Sequence, residues 1–118
     1  AEPGSRSHEP RRVHGRTPYV VYGRSYMVLW RYMYYVYVLF SKKDTNFYIG
    51  YTESLERRLQ EHKRGETKST KGRRPLVFLY AEMHISERDA KRREEYFKTN
   101  KGKSTLRQML RDSLQKLE

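Results

Sequence analysis

The sequence predicts an α+β domain in which a small three-stranded antiparallel sheet is flanked by about three helices, in the order ββαβαα. Three runs rich in β-branched and aromatic residues are typical of strands: 34–40, 46–51 and 76–80. Segments with helical spacing of apolar residues follow the second and third runs. A length of 118 residues fits one hydrophobic core, and the sequence contains no internal repeat.

The first two predicted strands are joined by a short polar segment, residues 41–45, so they are expected to form an antiparallel hairpin. Residues 34–40 are apolar at successive positions, which indicates a central strand that is covered on both faces. The hairpin is expected to bring Tyr37 near Tyr48. The third run follows Pro75 and has the same composition.

Start and stop signals place the first helix at about residues 53–64, with Thr52 as its N-cap and Gly65 at its C-terminal end. Arg58 and His62 are four positions apart and lie along one edge of this helix. The following basic segment, residues 68–74, contains a glycine and is expected to be a loop.

Two further helices are predicted after the third strand. Ser86 with Asp89 makes a capping box for a helix that runs to about Asn100 and stops at Gly102. Ser104 can cap the last helix, which packs on the sheet through apolar residues at helical spacing. These residues are Leu106, Met109, Leu110, Leu114 and Leu117.

Residues 1–32 differ in composition from the rest and are expected to be a basic, flexible extension of a domain that spans residues 33–118. Three origins stay open for this segment: a basic arm that follows nucleic acid, a targeting peptide, and an upstream addition from start-site choice or cloning. The third is favoured, because Met33 would make a natural initiator immediately before the first strand.

The charge balance predicts a polyanionic partner. Lys and Arg number 26 against 14 Asp and Glu, and contacts between such cations and phosphates release counterions. A ribosome-associated or simply soluble basic protein is the alternative. The absence of Cys excludes disulfides and Cys nucleophiles and is compatible with a reducing cytoplasm. Arg24 and Arg31 interrupt the most apolar stretch, residues 19–40, so no membrane span is expected.

Four motifs occur in one order along the chain. They are Tyr35-Val36-Tyr37, Tyr48-Ile49-Gly50, Leu55-Glu56-Arg57-Arg58-Leu59 with His62, and Arg93-Glu94-Glu95-Tyr96-Phe97-Lys98. Together they resemble the GIY-YIG nuclease superfamily, and most of all its short stand-alone bacterial branch, which is related to the catalytic domains of UvrC-type excision nucleases. The resemblance covers residues 33–110. Tyr35 departs from the family's glycine, and Tyr51 stands where UvrC-like domains carry a lysine.

The resemblance implies an endonuclease that hydrolyses DNA phosphodiester bonds with one divalent ion, Mg²⁺ or Mn²⁺. Nothing in the sequence is similar to a base-reading module, so branched, flapped or damaged duplex is the expected substrate, in repair or recombination. A cytoplasmic monomer is expected, and a targeting protein partner stays open. The alternatives are a nucleic-acid-binding module that keeps the fold without cutting and a basic interaction protein with no nucleic-acid role.

The resemblance assigns catalytic roles to Tyr37, Tyr48, Arg58, His62 and Glu94. Glu94 is the predicted metal ligand, with waters and a substrate phosphate completing the shell. Helical spacing supports this role, because it puts Glu94 on an inward face between Ala90 and Phe97. A carboxylate there costs free energy unless it is paired or binds metal, and a buried ion pair with an arginine is the alternative.

The other assigned residues each have a chemical task. The planar guanidinium of Arg58 can hold two phosphate oxygens, although an ordinary surface cation is the alternative. Tyr37 and Tyr48 are expected to form a hydrogen-bonded pair that orients and deprotonates the attacking water, with simple packing as the alternative. His62 is assigned a supporting role: holding the nucleophile, accepting a proton or contacting phosphate.

Further cations are expected to contact the DNA backbone. They are Arg57, Lys63, Lys68, Lys71, Arg73 and Arg74. Glu95 is instead expected to pair with Lys91 and Lys98 on the solvent side of its helix.

Overall fold

A computed structural model describes residues 19–22, 25–28 and 33–117 of the chain. Two short strands, β1 (Tyr19–Tyr22) and β2 (Ser25–Val28), pair antiparallel with Tyr19 opposite Val28. They form a two-stranded sheet of their own inside the segment that was expected to be an extension. The rest of the predicted extension lies outside the described residues.

The main sheet has three antiparallel strands in the order β4-β3-β5, which confirms the predicted fold class. Its strands are β3 (Tyr34–Ser41), β4 (Phe47–Thr52) and β5 (Leu76–His84). The central strand β3 is buried on both faces, as its continuous apolar run predicts, and Val36, Tyr37 and Val38 are all buried. Strand β5 runs past the predicted end at residue 80 because its second half pairs with the start of β3.

Five helices complete the described part of the domain. They are α1 (Leu55–Lys63), α2 (Lys68–Lys71), α3 (Glu87–Lys98), α4 (Asn100–Met109) and α5 (Arg111–Gln115). The main core lies between one face of the sheet and the helices α3 and α4. Its buried members are Val36, Val38, Phe47, Ile49, Ala90, Phe97, Leu106 and Leu110. None of the described helices is long and apolar enough to cross a membrane.

The start of the first helix differs from the prediction. Helix α1 begins after Ser54, and the Thr52 hydroxyl accepts a hydrogen bond from the Ser54 amide at 3.0 Å. Thr52 therefore stabilises the turn before the helix, since its side chain reaches only two residues ahead. The predicted loop at residues 68–74 also contains the short helix α2, because the Thr70 and Lys71 amides both donate to the Thr67 carbonyl.

The boundary between the second and third predicted helices was also wrong. Helix α3 ends at Lys98, and Thr99 caps α4 by accepting a hydrogen bond from the Gly102 amide at 3.0 Å. Gly102 thus lies inside α4 and does not end a helix. A Cβ at this position would lie 1.9 Å from the Tyr96 carbonyl oxygen, so the glycine permits a tight junction between α3 and α4. Ser104 caps nothing, because α4 is already four residues long when it reaches that position.

Candidate active site

The face of the sheet opposite the main core carries the predicted catalytic tyrosines. Tyr37 on β3 lies directly opposite Gly50 on β4. A Cβ at Gly50 would lie 2.3 Å from both Cζ and Oη of Tyr37, so the tyrosine ring extends over the bare glycine backbone. The position of the Tyr37 ring therefore requires a glycine at residue 50.

A buried chain of hydrogen bonds connects Tyr37 to the helices on this face. The Tyr37 Oη atom is 2.7 Å from Nε2 of His62, and Nδ1 of His62 is 2.7 Å from Oγ1 of Thr70. All three side chains are at most 1% exposed. Within α1, all of which is described, His62 is the one buried residue. The polar chain thus replaces the apolar contacts that a helix normally makes with a sheet.

Thr70 was not among the predicted site residues. It reaches His62 because α2 turns it inward, and this short helix lies in a segment that the sequence predicts to be a loop. A threonine among basic residues carries no periodicity signal, so its role depends on the tertiary structure.

Tyr48 lies beside this chain and is partly exposed. Its ring centroid is 6.3 Å from that of Tyr37 and 5.0 Å from that of His62. Its hydroxyl accepts a long hydrogen bond of 3.5 Å from Ser69. The predicted Tyr37–Tyr48 hydrogen bond was wrong. Because Tyr48 lies opposite Leu39, the two tyrosines are diagonal neighbours, and the Tyr37 hydroxyl is directed to His62.

Arg58 is one turn before His62 on α1 and is held by Glu61, with 2.9 Å between Nη1 and Oε1. One third of its side chain is exposed, so it can exchange this partner for an incoming anion. Its guanidinium also acts on Tyr37. Burial and the neighbouring Tyr48 raise the pKa of Tyr37 above its usual range, Arg58 opposes this rise, and Glu94 adds to it. Tyr48, Arg58 and Glu94 therefore all influence the pKa of Tyr37, so four of the five predicted catalytic residues interact electrostatically.

His62 is neutral at physiological pH in this environment. Burial lowers the pKa of His62 below its usual value, the positive charge of Arg58 lowers the pKa further, and Glu61 only partly compensates. A neutral imidazole has one nitrogen that donates and one that accepts, so it can exchange a proton with a neighbouring hydroxyl.

Glu94 lies on α3 as its spacing predicts, between the fully buried Ala90 and Phe97. Its carboxylate is 22% exposed and forms an ion pair with Lys98 at 3.0 Å. The partner is thus a lysine one turn along the helix, whose own side chain is more than half exposed. The expected pairing of Glu95 with Lys91 and Lys98 was wrong, because Lys91 pairs with Glu87 at 3.6 Å.

The residues present are compatible with a metal held by one carboxylate. The described residues contain no group of three or more His, Cys, Asp or Glu side chains that could hold an ion by themselves. Mg²⁺ usually keeps several waters and binds through one or two carboxylates together with substrate phosphates. Glu94, which is partly exposed and paired with an exposed lysine, can supply that single carboxylate.

Four of the predicted DNA-contacting cations fall into two groups. Lys63, Lys68 and Lys71 are exposed at the surface. Arg73, in contrast, has its Nε atom 2.6 Å from Asp44 and donates to the backbone carbonyls of the β3–β4 hairpin, Asn46 at 3.2 Å and Phe47 at 3.3 Å. Arg73 therefore stabilises the turn.

The two remaining predicted cations are intermediate cases. Arg74 lies over Gly65 and donates to the Lys71 carbonyl at 3.2 Å, so only part of its guanidinium is available. Arg57 is 70% exposed and forms a loose ion pair of 3.9 Å with Glu61.

Tyr51, where UvrC-like domains carry a lysine, lies on the opposite face from Tyr37. Its hydroxyl donates to Glu87 at 2.9 Å, and its ring stacks on Tyr34 with centroids 6.4 Å apart. Burial, followed by the Glu87 hydrogen bond, raises the pKa of Tyr51. Tyr51 is thus part of the contact between the sheet and α3.

This arrangement is that of a nuclease catalytic domain. The family model described as the GIY-YIG catalytic domain matches residues 33–108, so the chain belongs to the GIY-YIG family, which is a family of nucleases. The resemblance predicted from the sequence is confirmed.

The relatives are short proteins of one kind. The chain is 46% identical to a UPF0213 protein of Staphylococcus haemolyticus over 66 residues, 55% of this chain and 79% of the relative. It is 42% identical to a UPF0213 protein of Clostridium perfringens over 67 residues, 56% of this chain and 71% of that protein. A UPF0213 protein of Natronomonas pharaonis is 44% identical over 66 residues, 55% of this chain and 76% of its own length. No solved structure matches the chain.

Proposed function

We propose that the protein is a metal-dependent DNA endonuclease of the cytoplasm that recognises DNA structure and acts in repair or recombination. The observation that carries this proposal is the buried Tyr37 hydroxyl, which contacts His62 and shares its electrostatic environment with Tyr48, Arg58 and Glu94. A set that combines a cation, a neutral imidazole, two phenols and a carboxylate supplies each kind of group that phosphodiester hydrolysis needs.

Arg58 is assigned to the phosphate. During hydrolysis the oxygen of a water molecule bonds to phosphorus, one P–O bond of the backbone breaks, and negative charge grows on the non-bridging oxygens. A guanidinium stays charged throughout and can hold two of these oxygens. Arg58 pairs with Glu61 in the free protein and would pair with the phosphate when DNA is bound, so its charge has a partner in both states.

The tyrosine pair and His62 are assigned to the attacking water. Tyr48 is partly exposed and is therefore the phenol that reaches the water, whereas Tyr37 lies behind it on His62. The raised pKa of Tyr37 keeps its proton in place in the free protein, so it orients its neighbours by hydrogen bonding. His62 contacts the Tyr37 hydroxyl through Nε2, so a proton from the water reaches it only by relay, in which Tyr37 passes its own proton to Nε2 and takes one in return.

Glu94 is assigned to the metal. One Mg²⁺ or Mn²⁺ ion would bind its carboxylate in place of Lys98 and would supply positive charge next to the phosphate. Water and phosphate oxygens fill the remaining positions.

A groove beside the site supports DNA as the substrate. Its volume is about 810 Å³, and its lining combines His62 from the site and four cations with an apolar floor. The cations are Lys43, Lys63, Lys71 and Arg74, and the apolar residues are Leu39, Leu59, Pro75, Leu76 and Phe78. The groove begins at His62, which is assigned to the site. Its four cations can therefore bind backbone phosphates of the DNA on either side of the cleaved bond.

The proposal is tested by incubating the protein with duplex, nicked, flapped and branched DNA in Mg²⁺, Mn²⁺ or EDTA. Glu94→Gln removes the charge of the metal ligand, and Glu95→Gln is a matched control because Glu95 is exposed on the same helix. We expect the wild type and Glu95→Gln to cut, EDTA to abolish cutting, and Glu94→Gln to lose at least about 100-fold in rate.

Two results would contradict the proposal at different points. A wild type that binds these DNAs and cuts none of them would leave the non-catalytic binding module as the function. Normal cutting by Glu94→Gln would show that the metal is held elsewhere.

A further inference from the structure

Among the described residues, the Thr70 side chain makes one hydrogen bond, and its partner belongs to the proposed site. Its Oγ1 atom is 2.7 Å from Nδ1 of His62, and the threonine is completely buried. It lies in the middle of α2, whose turn is fixed by the Thr70 amide donating to the Thr67 carbonyl at 3.1 Å. A buried hydroxyl that cannot contact water or DNA acts only through the group it holds.

Both nitrogens of His62 are used, and this fixes the orientation of its ring. Nδ1 contacts Thr70 and Nε2 contacts Tyr37, each at 2.7 Å. A half-turn of the ring would bring carbon atoms to both positions and break both hydrogen bonds. Because each hydroxyl can either donate or accept, the two contacts fix the orientation of the ring and are compatible with either tautomer. With one of the partners removed, the opposing orientation becomes accessible.

We propose that Thr70 is a positioning residue of the active site: its hydroxyl holds Nδ1 of His62 and thereby keeps Nε2 on the Tyr37 hydroxyl. The effect on DNA cutting rests on the proposed nuclease function, whereas the effect on the His62 ring does not. The arrangement follows the logic of other catalytic sites in which a third group orients the base that contacts the reacting hydroxyl.

Thr67 shows that a buried threonine near this site does not by itself have this role. It is also buried and lies three residues before Thr70, but its Oγ1 atom has no hydrogen-bond partner in the described part of the chain. Thr67→Val therefore removes a buried hydroxyl from the same segment without changing a contact of His62, which makes it a matched control.

The test compares Thr70→Val, Thr70→Ser and Thr67→Val in the full chain. Nitrogen-15 NMR of the His62 ring reports the hydrogen bonding of each ring nitrogen, and single-turnover cutting and DNA binding report rate and affinity separately. We expect the same His62 ring signals in the wild type, Thr70→Ser and Thr67→Val, and shifted or doubled signals in Thr70→Val, whose ring has two accessible orientations. The cutting rate of Thr70→Val should fall on the order of 10- to 100-fold with unchanged affinity, because a small misplacement of a catalytic group has effects of this size.

Several outcomes would overturn the proposal. Thr70→Val with the wild-type His62 ring signals and rate would show that Thr70 does not position His62, and equal losses in Thr70→Ser and Thr70→Val would show that the hydroxyl is not the cause. If Thr70→Val does not fold, Thr70→Ala repeats the comparison, because alanine removes the hydroxyl without putting a methyl group in its place. A wild type that cuts no DNA refutes the nuclease function alone, since the NMR comparison still decides whether Thr70 sets the state of His62.

Discussion

At the scale of single residues, Gly50 controls the position of Tyr37. A Cβ at Gly50 would overlap the Tyr37 ring, at 2.3 Å from Cζ. We expect Gly50→Ala to lower the free energy of unfolding by about 1–3 kcal/mol, as overpacking does, and to separate Tyr37 from His62. Chemical denaturation and the His62 NMR signals measure the two effects.

Gly72→Ala is the control for this substitution, because a Cβ at Gly72 meets nothing within 4 Å and the residue has an ordinary negative φ of −85°. Similar losses of stability in both variants would show that the Tyr37 contact is not the reason for the glycine at position 50.

The individual site residues were predictable to different degrees. Glu94 was placed on an inward face by helical spacing alone, and its neighbours Ala90 and Phe97 are indeed buried. The hydrogen-bond partner of Tyr37 was not predictable, because it depends on strand register and on where α1 crosses the sheet. The sequence shows that Tyr37 and Tyr48 are near each other but not which of their neighbours lies at 2.7 Å.

At the scale of secondary structure, a partly buried ion pair fixes α3 to β5. Arg93 donates to both carboxylate oxygens of Glu82, at 2.9 and 2.5 Å, and the Tyr80 hydroxyl and His84 ring also contact this carboxylate. The Arg93 guanidinium covers the Phe97 ring at 4.3 Å. Since Arg93 precedes Glu94 in the chain, this cluster sets the rotation of the helix that carries the proposed metal ligand.

Glu82 should make the stability of the protein depend on pH. Burial alone would raise the pKa of Glu82, but hydrogen bonds from Arg93, Tyr80 and His84 outweigh it and lower the pKa from 4.5 to about 2. Because the folded-state pKa is the lower one, the stabilisation is present above pH 4.5 and is lost as the pH falls towards 2. A shift of this size corresponds to about 3 kcal/mol.

Denaturation curves between pH 7 and pH 2 measure this effect, and Glu82→Gln should remove most of it while Glu95→Gln leaves it unchanged. The exposed Asp44, whose pKa is also lowered to about 2 through its hydrogen bond with Arg73, contributes equally to all three proteins and cancels in the comparison. Identical pH dependence in the wild type and Glu82→Gln would contradict the role of this cluster.

The long elements were predictable, and the junctions between them were not. Composition and periodicity place β3, β4, β5, α1 and α3 within a few residues. The last predicted helix instead begins earlier, at Asn100, and is divided into α4 and α5. Helix α2 has a single turn and no apolar stripe, so its formation depends on contacts with α1. Gly102 has the sequence signal of a helix end, but close packing against the Tyr96 carbonyl is the reason for the glycine.

At the scale of the whole molecule, the net charge of +12 does not show which cations bind DNA. The structure separates exposed lysines from an arginine that is committed to the fold. We expect Lys68→Ala and Lys71→Ala each to reduce the slope of the DNA-binding constant against salt concentration by the amount for about one phosphate contact. Neither change should alter stability. Arg73→Ala should instead lower the free energy of unfolding, because it removes the ion pair with Asp44 and two bonds to hairpin carbonyls.

Binding measured between low and high salt, together with thermal denaturation, distinguishes these two effects. A Lys68→Ala and Lys71→Ala double variant with the wild-type salt slope would place the DNA on another surface. An Arg73→Ala variant with wild-type stability and a reduced slope would return Arg73 to the group of DNA contacts.

We expect residues 33–118 to be sufficient for folding. The family match begins at residue 33, Met33 is buried, and each main-core residue that the structure describes lies after it. We expect deletion of residues 1–32 to leave the melting temperature and the His62 NMR signals unchanged. The salt slope of DNA binding should decrease if the arginines of the deleted segment contact phosphate, since each contact releases about one counterion. An unfolded deletion variant would show that the domain boundary lies earlier in the chain, and an unchanged slope in a folded variant would exclude these arginines from DNA binding.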